Sequence, residues 1–256
     1  MRSLLVPALL AVLACGSSSG GGAGATGDSG TSGMDSSTGG MDSGAPPQDS
    51  GAPPNDASSG SCTPDPLHTG LVAMQTGVSV DAFDCPILKW AAAYKEPDPM
   101  IFKAIIYVES RFDQLASACP NMPCGIPSGW TAQEAGCYGL MQIVPACGGS
   151  PGDAGLMANG QPNMTTDMTS AAWAGSIFNP DVNIEIGISG VAGNRAQVEQ
   201  QFPGCTVDQY TMMAVGNYNS YGSTKSCTQY NTQYDDAVVM AYKQYAAAAG
   251  YPAHAY

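Results

Sequence analysis

The residue with the strongest claim to chemistry is a carboxylate, Glu109, at the end of an apolar run. Ile101, Ile105 and Glu109 stand four residues apart, so on a helix they share one face, flanked by Val108 and Phe112. A carboxylate that continues an apolar stripe is partly desolvated, which favours its protonated form. A place near the helix's C-terminal end adds to this, because the macrodipole there is negative. Both effects push the pKa upward, as a general acid acting on a glycosidic bond requires. The other reading of such a position is a Glu that reaches past the stripe into water. Ser110 is read as a structural hydroxyl near the helix end rather than a nucleophile. No Ser-His-Asp set is available to activate it, and the two histidines, His68 and His254, are peripheral.

Glu109 needs a helix, and the sequence supplies helix signals along residues 86–250. Residues 86–95 form a short amphipathic segment ended by Pro97. Asp98 is then a good N-cap, with Pro99 at the first helical position of the segment that carries Glu109. A second long helix is expected after Asn179, Pro180 and Asp181, running to about Glu199. A third follows Thr206, where Gln209 completes a capping-box pattern. The last starts near Thr232, with Tyr234, Val238, Tyr242 and Tyr245 on one face, and stops at Gly250 and Pro252. Between Cys119 and Trp173 lies a long Gly- and Cys-rich stretch with little periodicity, and no run of alternating strands appears. The expected fold class is mainly α, held together by disulfides.

What precedes this region is of another kind. Arg2 and the apolar run from Leu4 to Ala14, too short to span a bilayer, read as an export signal. The run ends in Val12, Leu13, Ala14 and Cys15, which resembles the lipobox of bacterial lipoproteins. That resemblance implies cleavage before Cys15 and lipidation of its thiol and new amino terminus, hence a membrane anchor through the N-terminal lipid. Residues 16–61 are almost purely Gly, Ser, Ala, Pro, Thr and Asp, with Asp at 28, 35, 42, 49 and 56. This heptad lacks apolar a and d positions, so it predicts no coiled coil. Such a segment cannot bury enough surface to offset its ordering entropy, and reads as a spacer reaching about 40 Å. The expected organisation is a signal in 1–14, a lipidated Cys and linker in 15–61, and one folded domain in 62–256.

Composition narrows the partners. The net charge is −13, from 21 acidic against 8 basic residues, which excludes the basic footprint of a nucleic-acid binder. Of nine cysteines, setting Cys15 aside leaves Cys62, Cys85, Cys119, Cys124, Cys137, Cys147, Cys205 and Cys227. An even number in an exported chain points to disulfides. Zinc is the rival, but no Cys-x-x-Cys pair occurs and the histidines lie far from the cysteine cluster, so no metal site is expected. The pairing is open, a local Cys205–Cys227 closure being one guess. No cofactor is expected.

Four motifs then occur in order: Glu109, Ser110 and Phe112; Gly139, Leu140, Met141 and Gln142; Asn179, Pro180, Asn183 and Ile184; and Ala214 to Tyr218 and Asn219. Together they resemble the soluble lytic transglycosylases, the lysozyme-like SLT family, over about residues 98–245. The resemblance implies a lysozyme-like helical domain that cleaves the MurNAc–GlcNAc β-1,4 bond of peptidoglycan strands. It assigns Glu109 as acid, then as base on the muramic 6-hydroxyl, which closes a 1,6-anhydro ring without water. It also implies substrate-binding roles for Ser110, Gly139, Met141, Gln142, Tyr218 and Asn219, with Tyr218 pointing at the acid or the acetamido group. Asn217 replaces the family's usual Ala, and Gln133 stands where the family has a Ser. Glu134, Asp153 and Asp167 could offer a second carboxylate, which would turn the chemistry towards hydrolysis. A goose-type lysozyme-like hydrolase and a catalytically silent wall-binding lipoprotein stand as the alternatives. Export to the cell envelope, with the anchor in an outer membrane facing the periplasm, is the expected location.

Overall fold

Asp98 begins the helix on which the domain is organised. In the computed structural model, which describes residues 62–118, 131, 136–145, 162–219, 224–229 and 232–256, its side chain accepts from Met100 N at 3.1 Å. The helix so capped, α2 (Met100–Ser110), follows a shorter α1 (Asp84–Ala93). Every residue from Met100 to Ile106 is buried, so α2 is apolar all round its first two turns, as a central helix must be. Lys103 is the exception in kind, buried completely with its ammonium enclosed. It donates to Leu67 O at 2.7 Å and lies 2.6 Å from Asp81 and 2.8 Å from Asp84. Paired in this way, a buried charge is tolerated, and it ties the N-terminal residues to α2.

Three further α-helices follow α2. α3 (Pro180–Gln201) starts at Asn179, whose side chain accepts from Asp181 N at 3.0 Å. α4 (Val207–Asn219) opens on the expected capping box: Thr206 N donates to Gln209 Oε1, and Gln209 N donates to Thr206 Oγ1. α5 (Thr232–Ala249) buries Tyr234, Val238, Tyr242 and Tyr245, the face read from the sequence, and ends at Gly250 with φ +63°. α2 packs on α5, and α3 packs on α4 and α1. The residues after α5 fold back, with Tyr256 donating to Asp98 at 2.9 Å and His254 Nδ1 lying 2.8 Å from Asp208.

Strand structure among the described residues is slight. β1 (Ser117–Ala118) pairs antiparallel with β2 (Cys137–Tyr138), Ala118 opposite Cys137. A short 3-10 helix spans Ala171–Gly175. Residues 71–80 form a small hairpin, with Val80 N donating to Leu71 O and Ala73 N to Val78 O. Disulfides join Cys62 to Cys85 and Cys205 to Cys227, the second being the local closure guessed from spacing. The fold is mainly α with disulfides, as the sequence pattern requires.

Candidate active site

Glu109 sits in the last turn of α2, where the buried stripe of Ile101 and Ile105 runs out and the side chain is half-buried. The helix stops directly after it in an unusual way. Arg111 (φ +57°) and Phe112 (φ +64°) are consecutive left-handed residues, neither of them glycine. Such conformations persist where surrounding structure over-determines them, and here Phe112 is wholly buried. The turn throws the chain away from the helix axis and leaves Glu109 at its end. From α5, Tyr234 reaches across and donates its hydroxyl to Glu109 Oε1 at 2.5 Å.

A tight loop forms the second part of the site. Tyr138 and Ile143 exchange backbone hydrogen bonds at 2.9 Å each, closing a loop whose four residues are Gly139 to Gln142. Its two ends are both left-handed, Gly139 at φ +72° and Gln142 at φ +49°. Glycine is required at 139 for a second reason. A Cβ there would stand 2.7 Å from Asn183 Cγ, a contact that real side chains do not make. That asparagine, on α3, is completely buried and fully used. Its amide donates to Tyr138 O (2.9 Å) and Ile177 O (2.8 Å), while its oxygen accepts from Met141 N (2.8 Å). Asn183 therefore staples the loop to α3. Tyr218 holds it from α4, donating to Met141 O at 2.6 Å. Gln142 is half-buried, its amide on Gly139 O at 2.9 Å and facing Ala116 O at 3.4 Å.

The electrostatics follow from this enclosure. Burial pushes Glu109 up to about 7, and the Tyr234 hydroxyl pulls against that rise by favouring the carboxylate. Burial, followed by the Glu109 charge, holds Tyr234 and Tyr218 well above the ordinary phenol range, so both hydroxyls stay protonated as donors. A carboxyl near 7 is present in both protonation states at neutral pH, the condition for giving and then recovering a proton.

Several expected roles take a different form. Met141 is wholly buried, its methyl lying where a Cβ on Gly187 would be only 2.7 Å away, so it seats the loop on α3 rather than offering a surface to sugar. Ser110 is buried and bonds back to Ile106 O at 3.1 Å, a structural hydroxyl. Tyr218 was expected on the acid and instead bonds the loop, while the acid's partner is Tyr234. Asn219 ends α4, half-buried one residue after Tyr218. Cys137, expected in a disulfide, is a free thiol, because Ala118 faces it across the strand pair and the strand turns it into the core. Burial, with the Glu109 charge second, pushes it up to about 12.

Tyr234 and Asn183 are the residues that sequence reasoning did not single out for the site. Tyr234 stood on a periodic apolar face, which is a packing signal, and Asn183 within a helix-start motif. Asp167, one of the possible second carboxylates, is exposed and accepts from Thr169 N and Oγ1 within its own loop. Glu134, Asp153, Gln133, Cys15, Cys119, Cys124 and Cys147 lie outside the described residues, as does the linker. No group of His, Cys, Asp or Glu suited to a metal ion occurs among the described residues.

A family model described as the transglycosylase SLT domain matches residues 86–239. That span starts inside α1 and ends within α5, so it takes in Glu109, the Gly139 to Gln142 loop, Asn183, Tyr218 and Tyr234. No curated protein matches the chain.

Proposed function

The chain belongs to the transglycosylase SLT family, whose members act on peptidoglycan, and on that footing we propose that Glu109 is its catalytic acid and base. The observation that carries this is the enclosure of Glu109: half-buried at a helix end, raised to about 7, with Oε1 held by Tyr234. In the proposed reaction the protonated Glu109 gives its proton to the oxygen linking N-acetylmuramic acid to N-acetylglucosamine, and that bond breaks. The carboxylate left behind is stabilised by the Tyr234 hydroxyl. It then takes the proton of the muramic 6-hydroxyl, whose oxygen closes on the anomeric carbon as a 1,6-anhydro ring. The acid is regenerated and no water is consumed. One carboxylate suffices for this sequence, where hydrolytic pairs need two.

The sugar meets the loop at Gln142, the one residue of Gly139 to Gln142 that is not buried, through its side-chain amide. Met141, Asn183 and Tyr218 hold that loop in place. The protein is exported and tethered by lipid on Cys15, with residues 16–61 as spacer and the domain from residue 62 facing the wall. No helix among the described residues is long and apolar enough to cross a membrane.

Mass analysis of muropeptides released from purified cell walls tests the reading. Anhydro ends, each lighter by one water than a hydrolysed end, are expected from the wild type. Glu109→Gln should release none. Reducing ends in place of anhydro ends would make the protein a hydrolase of the same bond. Wall suspensions left intact by the wild type would leave a silent wall-binding protein.

A further inference from the structure

Residues 251–256 follow α5 and lie beyond the 86–239 span of the family match. They fold back and contact three helices at once. Tyr256 donates to Asp98 Oδ2 at 2.9 Å, on the carboxylate whose other oxygen caps α2 at Met100 N. His254 Nδ1 lies 2.8 Å from Asp208 Oδ1, and Ala255 N donates to Asp208 Oδ2 at 3.2 Å, which fixes the first turn of α4. On α5, Tyr242 accepts from His254 N at 3.0 Å and meets the Tyr256 ring edge-on, with centroids 4.9 Å apart. The His254 and Tyr256 rings stack at 5.5 Å and complete the set. Asp98 and Tyr242 are wholly buried, so their bonds to the segment face little competition from water. Burial, followed by the Asp98 charge, holds Tyr256 above the ordinary phenol range, so its hydroxyl stays a donor.

The helices gripped in this way, α2, α4 and α5, are also those that carry Glu109, Tyr218 and Tyr234. At 1.5 Å per residue, Asp98 to Glu109, Asp208 to Tyr218 and Tyr242 to Tyr234 span about 16, 15 and 12 Å. The segment thus holds all three helices at one level, and the site lies two to three turns away at another. Between the levels α5 packs on both α2 and α4, with the Tyr245 ring edge-on to Tyr107 at 5.8 Å. Rigid helices joined at two levels cannot tilt independently, which is how a contact at one level is felt at the other. The bond from Tyr234 to Glu109 is sensitive to such tilt, because hydrogen bonds weaken steeply with angle. We propose that residues 251–256 are a clasp that positions the acid: by tying α2 and α4 to α5, they keep the Tyr234 hydroxyl on Glu109. His254 and Tyr256 act as positioning residues, several turns of helix from the reacting atoms. Their meaning for catalysis rests on the role of Glu109 proposed above.

The titration of Glu109, followed by carbon NMR of its side-chain carboxyl, tests the clasp without turnover. In the wild type the midpoint should lie near 7. Replacing His254 and Tyr256 together by Ala releases the segment. The midpoint should then rise by about half to one pH unit, as the Tyr234 bond to the anion weakens. Tyr256→Phe keeps the ring contacts and loses only the bond to Asp98, so it should give a smaller rise in the same direction. Made in Tyr234→Phe protein, the double replacement should add no further rise, because the bond it acts through is gone. A midpoint unmoved in the folded double variant overturns the clasp, and so does a rise that persists in full without the Tyr234 hydroxyl. Either result leaves the segment a stabilising one that lowers only the melting temperature. Where the double variant does not fold, Tyr256→Phe decides by the same two readings. Wall-cutting assays separate the two failures. A midpoint that responds in a protein that cuts no wall sinks the glycan-cutting function and upholds the clasp. Where both stand, the double variant should lose about threefold or more in kcat with KM held.

Discussion

At the scale of single residues, the chemistry proposed for Glu109 depends on how two hydroxyls share the work around one carboxyl. Tyr234 donates directly to Glu109, so it stabilises the anion and opposes the rise that burial imposes. Tyr218 donates to Met141 O and acts on the loop. The two should therefore separate in a pH profile. For a general acid held near 7, activity falls as pH rises through that value. Tyr234→Phe removes a hydrogen bond to the charged form, worth about 1.5–3 kcal/mol, so the alkaline midpoint should move above 7. The carboxylate formed on proton transfer also loses its donor, and kcat should fall about tenfold or more. Tyr218→Phe should leave the midpoint in place and lower kcat/KM through a looser loop. Rate measurements from pH 5 to 9 on both variants check this; a midpoint unmoved in Tyr234→Phe would remove Tyr234 from the acid's control. Glu109 could be read from its stripe and its motif, because both are local. Its partner could not: 125 residues separate the two, and a tyrosine on an apolar face looks the same whether it packs or donates.

At the scale of elements, the caps were legible because each is written in neighbouring residues. Asp98 and Pro99, Asn179 and Pro180, and Thr206 with Gln209 all start helices where they were expected to. The loop from Gly139 to Gln142 was legible as a turn, but its attachment was not, since that comes from Asn183 on α3 and Tyr218 on α4. The loop's shape is carried by three hydrogen bonds from one buried asparagine. Replacing it by Leu takes the Asn183 partner from Met141 N and Ile177 O in the core, and one of two from Tyr138 O, which keeps Ile143 N. The expected cost is about 3 kcal/mol or more, read as a lowered denaturation midpoint. Gly139→Ala should cost at least about 1–2 kcal/mol from its left-handed φ, with more from the displaced Asn183. Activity should fall further in both than stability alone accounts for, because Gln142 rides on the same loop. Stability within about 0.5 kcal/mol of wild type in Asn183→Leu would show that the staple is dispensable.

At the scale of the whole molecule, the helical class and the order of elements followed from periodicity and caps. The disulfide inventory followed only in part: Cys137 has no sulfur opposite it, and strand register is a tertiary fact that counting cysteines cannot supply. The same holds for buried charge. Asp235 lies in the first turn of α5, yet it is 2% exposed, neither oxygen has a hydrogen-bond partner among the described residues, and burial pushes it up to about 8. Glu109 and Asp235 are therefore two acids whose folded pKa values lie above their ordinary values of 4.5 and 3.8. Between those limits the folded protein binds more protons than the unfolded chain, so its stability must fall as pH rises. The loss should begin near pH 4, proceed through neutrality, and level off once Asp235 has ionised above about 8. Melting temperature should accordingly drop between pH 5 and pH 8. Glu109→Gln should remove one share of the drop that ends near 7, a part to which Asp84 and Glu185, also raised by burial to about 7, contribute, and Asp235→Asn the part that extends to about 8, each variant gaining on the wild type only at the alkaline side. A melting temperature that rises over this range, or variants that track the wild type at every pH, would mean that these carboxyls are not held neutral by burial. The acid's readiness to donate would then need another source.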